Sequence, residues 1–308
     1  MKKNEKTIKD FQKFLEEHYD DNMSQEELSE LTRVFNEQKK LNEINSYEDS
    51  DDYLEMAQNT DNEKEAIKYV KKALKLDPNN IDAESYLITL TSKNMHEAFE
   101  RYKEALDKHR KQLEKQGYFT DEYKGEFWLV IETRPYIRLW YCYIEALIEM
   151  GMMDEAIKEL KEVLLWNEGD NCGGRYYLAH LYAYKQDKDA LFNLHKRYDE
   201  YNETQFLLPK SILFYKNNDL EQAKKYLLEV EKCNPDIHII LDEKKLRKKL
   251  STDSYFIPGA YRPGSYQELL TEIEQFTFLF DSVPYYFEWI DSVLKVRSKV
   301  IKNPKTTK

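Results

Sequence analysis

Residues 137–170 read IRLWYCYIEALIEMGMMDEAIKELKEVLLWNEGD, and this stretch holds the pattern that organises the whole chain. Trp140, Tyr143, Ile144 and Leu147 recur at three- and four-residue intervals, which places them on one face of a helix. Gly151 supplies the turn, and a second helix carries Ala156, Leu160 and Val163 on one side. The small alanine lets two helix backbones approach where they cross, while the large residues fill the neighbouring grooves.

The same triad, an alanine followed four and seven residues on by partners on its own face, recurs along the chain. It reads Ala66/Val70/Ala73, Ala98/Tyr102/Ala105, Ala156/Leu160/Val163, Ala190/Leu194/Arg197 and Ala223/Leu227/Val230. The alanines lie 32, 58, 34 and 33 residues apart, and the long interval is one period plus an insertion. Only Arg197 breaks the apolar rule. Breakers close the units at Pro78 and Pro235, and Gly169-Asp170 does so after the third. With these offsets the chain resembles the tetratricopeptide repeat (TPR) over about residues 47–235. The fold class expected is therefore all-α, a helix–turn–helix solenoid with a right-handed superhelix and helical additions at both ends. One pair cannot bury its apolar face alone, so stacking neighbours creates the core.

A narrower resemblance rests on two motifs. Residues 127–136, FWLVIETRPY, fit F-W-x-x-I-E-T-R-P-Y, and Gly169-Asp170-Asn171-Cys172-Gly173-Gly174-Arg175-Tyr176 follows one unit later. Together they resemble a group of bacterial TPR proteins loosely similar to the suppression-of-tumorigenicity family. That resemblance implies a TPR array with no established activity. The acidic start and the FIPGAYRPGS segment (256–265) depart from the group.

The expected division is an N-terminal helical pair over 1–46, the solenoid over 47–250 with an insertion at 107–136, and a helical cap with a basic tail over 251–308. The pair reads as helices at 4–17 and 25–40, with Ser24 and Glu27 as a capping box. Its apolar stripes are Ile8, Phe11, Phe14 and Leu15, then Leu28, Leu31, Val34 and Phe35. Thr133 is placed to cap the helix that contains Pro135, Ser265 to cap a helix over 266–280, and Ser282 to start another toward Val296.

Composition narrows the function. Gly and Pro together are 16 of 308 residues, too few for many tight hairpins. Three scattered Cys at 142, 172 and 233 exclude a disulfide framework and fit a reducing compartment. No secretory leader and no membrane-spanning run is read, so the expected location is the cytoplasm. The abundance of Lys, Asn, Ile and Tyr fits an A/T-rich bacterial genome. Formal charge is −11, and residues 1–60 hold 8 Lys or Arg against 16 Asp or Glu. An acidic field repels phosphate backbones, so nucleic acid is not an expected partner. The last fourteen residues reverse the sign, with Lys295, Arg297, Lys299, Lys302, Lys305 and Lys308 and no acid.

The six His form no metal spacing, and no GxSxG, P-loop or GxGxxG motif is present, so neither an enzyme, a metal nor a cofactor is expected. Cys142 lies in an apolar helical pattern and reads as a core thiol. In a TPR array the inner groove is lined by the first helix of each pair. Its positions here are Glu48, Asp51, Glu55 and Gln58; Asp82, Ser85, Thr89 and Ser92; Arg138, Tyr141, Glu145 and Ile148; Cys172, Arg175, Ala179 and Tyr182; Gln205, Leu208, Ile212 and Tyr215. The groove is thus graded from acidic to aromatic and apolar. It suits a protein or peptide segment with a basic end and an apolar end. The positions that grip a C-terminal carboxylate in some TPR domains carry acids or neutral residues here, which argues against such a clamp. Glu132, Arg134, Arg138 and Arg175 collect charge beside Phe127, Trp128, Tyr136 and Trp140. They read either as an ion network locking the insertion or as guanidinium forks for an acidic ligand. The functional expectation is a non-catalytic binding scaffold. The alternative is a peptide-responsive regulator acting on a protein target. Partner identity and oligomeric state are left open.

Overall fold

The computed structural model describes residues 2–19, 23–44, 49–198, 201–252 and 261–302. The chain divides into two compact units, Met1–Cys172 and Gly173–Lys308. The first holds α1 (Lys2–His18), α2 (Gln25–Ile44), α3 (Ser50–Gln58), α4 (Glu63–Leu76), α5 (Ile81–Thr91), α6 (Met95–Lys115), α7 (Arg134–Glu149) and α8 (Met153–Trp166). The second holds α9 (Gly174–Lys185), α10 (Lys188–Arg197), α11 (Thr204–Lys216), α12 (Leu220–Cys233), α13 (Ile237–Ile240), α14 (Glu243–Thr252), α15 (Tyr266–Gln275), α16 (Thr277–Asp281) and α17 (Tyr286–Lys302). The fold is all-α, and the described residues hold no strand, only an isolated bridge between Glu126 and Asn167.

From α3 to α12 the helices form helix–turn–helix pairs, as the repeat spacing predicts. In the first unit α3 packs on α4, α5 on α6 and α7 on α8, while α5 also meets α4 and α7. In the second, α9 packs on α10 and α11 on α12, and α9 meets α11. Within each unit the successive pairs touch, as in a linear array.

The second helices of four of the five pairs start the same way. Asn62, Asn94, Asp187 and Asp219 cap α4, α6, α10 and α12, each accepting from backbone N–H groups of the first turn. Met152 holds that place before α8 and makes no side-chain cap. Counting four, eight and eleven from the cap gives Ala66/Val70/Ala73, Ala98/Tyr102/Ala105, Ala156/Leu160/Val163 and Ala223/Leu227/Val230, all buried. In the fourth pair the count from Asp187 reaches Leu191, His195 and Tyr198. The expected triad Ala190/Leu194/Arg197 is therefore one residue out of register. Leu191 is fully buried, Ala190 only half-buried and Arg197 exposed. Asp187 captures the Ala190 N–H, which starts α10 one residue later than the alanine spacing predicts.

Other local expectations divide. Ser24 and Glu27 form the capping box, and Phe11 and Phe14 of α1 meet Phe35 of α2 in tilted ring contacts, with centroids 4.9 and 5.4 Å apart. Gly151 adopts φ 74° at the turn between α7 and α8. Thr133 does not cap α7. Its hydroxyl donates to the Phe127 and Val130 carbonyls and closes a 3-10 turn over Ile131–Thr133. The helix expected over 266–280 breaks at Phe276 into α15 and α16, with Ser265 capping the first. Ser282 ends α16 as its C-cap, its hydroxyl donating to Leu279 O at 2.6 Å, and α17 begins only at Tyr286.

The insertion is a plug of aromatic rings. Phe119 meets Phe127, Tyr136 and Trp166 with centroids 4.8, 5.5 and 4.9 Å away. Arg110 of α6 lies 4.8 Å over the Phe119 ring and bonds Glu162 of α8 through both terminal nitrogens at 3.0 Å. Phe127 N–H donates to Trp166 O, and Glu168 N–H to Gly125 O, tying the insertion to the end of α8.

Candidate functional site

The first helices of the pairs in the first unit bring their inner residues to one cavity of about 600 Å³. Asp51 and Glu55 lie one turn apart on α3, whose start is fixed by an Asp49–Asp52 capping box. Asn80, the cap of α5, donates its amide to Asp51 Oδ1 and to Ser50 Oγ, each at 2.9 Å, and accepts from Ala83 N–H. Ser50 in turn donates to Ala73 O. This chain of bonds holds the carboxylate of Asp51 against the turn at Pro78.

Across the cavity, Arg138 of α7 grips Asp82 of α5. Nε donates to Oδ1 at 2.9 Å and Nη2 to Oδ2 at 2.6 Å, a bidentate fork with both side chains mostly buried. Two predicted groove positions thus neutralise each other. Asp77 from the turn and Glu132 from the insertion complete the acidic wall. The lining then holds the carboxylates Asp51, Glu55, Asp77, Asp82 and Glu132 against the cations Lys9 and Arg138. Glu55 and Glu132 are exposed. With Asp82 and Arg138 paired, the field in the cavity is negative, and it favours a cationic occupant.

The other sequence-predicted residues fall elsewhere. Glu48 lies outside the described residues. Tyr141 is 8% exposed on α7, and Glu145 is exposed one turn on; neither lines the cavity. Arg134 folds back on the insertion, donating from Nε to the Trp128 carbonyl at 2.6 Å with its guanidinium over the Trp128 ring. Arg134 thus meets the insertion's own backbone and ring, while Arg138 meets Asp82. Glu132 is the exposed middle residue of the 3-10 turn Ile131–Thr133. Arg175 belongs to the second unit. It stacks 4.3 Å over the Tyr176 ring, and Nη2 donates to the Tyr176 hydroxyl, which donates to Glu203. Burial, followed by the Glu203 bond, pushes the Tyr176 hydroxyl pKa up.

The aromatic and apolar end of the predicted groove is not open. In the second unit Ala179, Leu208 and Ile212 are at most 1% exposed, and Tyr182 is 6% exposed. The C-terminal helices occupy this face. Tyr215 packs 5.2 Å from both Tyr286 and Trp289 of α17, Gln205 donates to Tyr261 OH, and Gln275 of α15 donates to Tyr177 OH. Gly264, at φ 75°, passes so close to Cys233 O that an added Cβ would sit 2.9 Å from it. Sequence reasoning treated these helices as an end cap and missed that they cover the inner positions. It also missed Asp77 and Asn80, although the Pro78 turn that presents them was legible.

Little here is arranged for nucleophilic chemistry. Burial raises the Cys142 thiol pKa, with Ser85 donating to its sulfur at 3.5 Å, and burial raises that of Cys233. Among the described residues no three His, Cys, Asp or Glu side chains are grouped to hold a metal ion. None of the helices described is long and apolar enough to cross a membrane.

No family model matches the chain, and no curated protein matches it. Among solved structures, the crystal structure of MamA protein aligns with 68% of this chain and 98% of that one, at 16% identity and a TM-score of 0.40. A likeness at that level identifies no family and transfers no function.

Proposed function

We propose that the protein is a non-catalytic scaffold that binds a basic protein or peptide segment in the acidic cavity of its first unit. The observation that carries this reading is the lining itself. Among the described residues, Asp51, Glu55 and Glu132 stand at the cavity without a guanidinium partner of their own, whereas Arg138 bonds Asp82. Gln58, one turn beyond Glu55 on the α3 lining, offers an uncharged exposed group for the rest of such a segment. Binding of this kind is steered by charge and weakened by salt.

The test is titration of the full chain with lysine-rich, neutral and acidic peptides of equal length. The basic peptide should bind best and lose affinity as salt rises. Replacing Asp51→Asn and Glu55→Gln together should weaken it about tenfold, from ~0.7 kcal/mol per exposed charge. Binding indifferent to peptide charge would remove the proposal.

One observation supports the regulatory reading as a second possibility. Lys9 of α1 lines the same cavity, so an occupant would meet the N-terminal helix pair directly. A fluorine label on α1 that shifts when the basic peptide binds would favour regulation; an unchanged signal would favour a passive scaffold.

A further inference from the structure

The second unit buries an ionisable pair that binding in the first unit does not use. His180 of α9 and Glu272 of α15 are fully or nearly fully buried, and His180 Nε2 lies 3.0 Å from Glu272 Oε1. The other ring nitrogen, Nδ1, lies 2.8 Å from the Tyr176 carbonyl. A carbonyl only accepts, so Nδ1 carries a hydrogen. The contact between Nε2 and Oε1 then needs one further proton, because without it a carboxylate would face an imidazole lone pair. The proton sits either on the ring, facing a carboxylate, or on the carboxyl, facing a neutral ring. The count is the same in both cases. Phe276 closes the site, stacked 3.7 Å from the His180 ring, and Glu272 Oε2 is buried without a hydrogen-bond partner. An unpartnered buried oxygen makes the ionised form of Glu272 costly.

We propose that this pair is a one-proton latch, through which the C-terminal helices grip the inner face of α9 in a pH-dependent way. In the undocked state both groups meet water, where a free imidazole titrates near pH ~6.5 and a free carboxyl near ~4.3. Between those values the free groups together hold as many protons as the docked pair, so docking is indifferent to pH. Above ~6.5 the free pair has lost one, and docking must take a proton up. The sign follows: docking is strongest below the free imidazole value and weakens as pH rises. Burial raises the Glu272 pKa, in keeping with a proton retained in the docked state.

The other groups facing the pair do not supply this dependence. Glu268 on α15 adds negative charge to the site but is held by Asn234 and the Gly264 N–H. Burial raises the pKa of Tyr261, of Tyr286 on α17 and of Cys233 at the end of α12, which keeps them protonated through neutral pH. The Tyr177 hydroxyl on α9 accepts from Gln275.

The test is amide hydrogen exchange of the full chain, read as protection factors of the α15 amides between pH 6 and 9. In the wild type these should be level near pH 6 and fall about tenfold per pH unit above 7. In Glu272→Gln the amide donates to the Nε2 of a neutral ring and only the undocked imidazole still takes up a proton, so protection should rise about fourfold from pH 6 to pH 9 instead of falling. Amides of α3 and α4 serve as the control. A level wild-type profile overturns the latch whether or not the variant folds, and so does a Glu272→Gln profile as steep as that of the wild type.

Discussion

The register of the fourth pair can be tested by enlarging two alanines of the second unit that the sequence treats alike. Ala223 and Ala190 both open a repeat triad, but the caps Asp219 and Asp187 place them differently. Ala223 is four residues past its cap and fully buried; Ala190 is three past and half-buried, with Leu191 fully buried beside it. Leucine at 223 must fit three more carbons into a closed crossing, at a cost of ~1–3 kcal/mol. Leucine at 190 reaches toward solvent, and its cost should stay within ~0.5 kcal/mol, as for an ordinary surface change. The reciprocal change, Leu191→Ala, empties a fully buried site and should cost ~2–5 kcal/mol. Urea unfolding followed by helical circular dichroism reads all three. Equal losses for Ala190→Leu and Ala223→Leu would refute the cap-based register, as would a tolerated Leu191→Ala.

Three further outcomes follow from the local geometry. Met152→Asp would give α8 the cap its counterparts have, adding ~0.5–1 kcal/mol and raising the melting temperature by ~1–3 °C in a thermal scan. Arg110→Ala would remove the bonds to Glu162 and the stack on Phe119, so limited proteolysis should cut the loop at 117–125 well before the helices. Glu84, bonded to the buried His109 at 2.7 Å and to Lys108, has its carboxyl pKa lowered to about 2, chiefly by the His109 bond. A depressed carboxylate stabilises above its unfolded value of ~4.3 and loses that contribution as pH falls toward ~2, so Glu84→Gln should flatten the acid limb of stability between those values.

The repeat was legible because its cause is local. An alanine at a helix crossing, a turn glycine and a proline past a helix end act within a few residues, and Ala156, Gly151 and Pro78 do what their spacing implies. The slip at Ala190 was legible in part, since Arg197 in an apolar position signalled it. The cap that decides it, Asp187, was not weighed against the alanine spacing. Thr133 shows the limit of reading a cap from composition. The same hydroxyl that caps helices elsewhere closes the insertion onto Phe127, because the loop offers two carbonyls first.

The functional surface was harder to read, because whether a groove position is open depends on residues far along the chain. Positions taken by one rule from the first helix of each pair meet opposite fates. Asp51 and Glu55 stay at a cavity, while Ile212 and Tyr215 lie under or against the chain's own α15–α17 segment. The difference lies in what the local residues need. Acids at an inner face require water or a cationic partner, so leaving them accessible costs nothing. Aromatic and aliphatic side chains at the same face gain by being covered, at ~25 cal/mol per Å² of apolar surface. A segment bearing Phe276, Phe280, Tyr286 and Trp289 meets that need from within the chain. The polarity read along the inner positions therefore separates the face this chain leaves accessible from the face it covers itself. Truncation before α15 should bear this out by exposing the inner face of α9 and α11, with increased binding of a hydrophobic dye and self-association in gel filtration. A truncated chain that stayed monomeric and bound no dye would break the link between apolar inner positions and self-coverage.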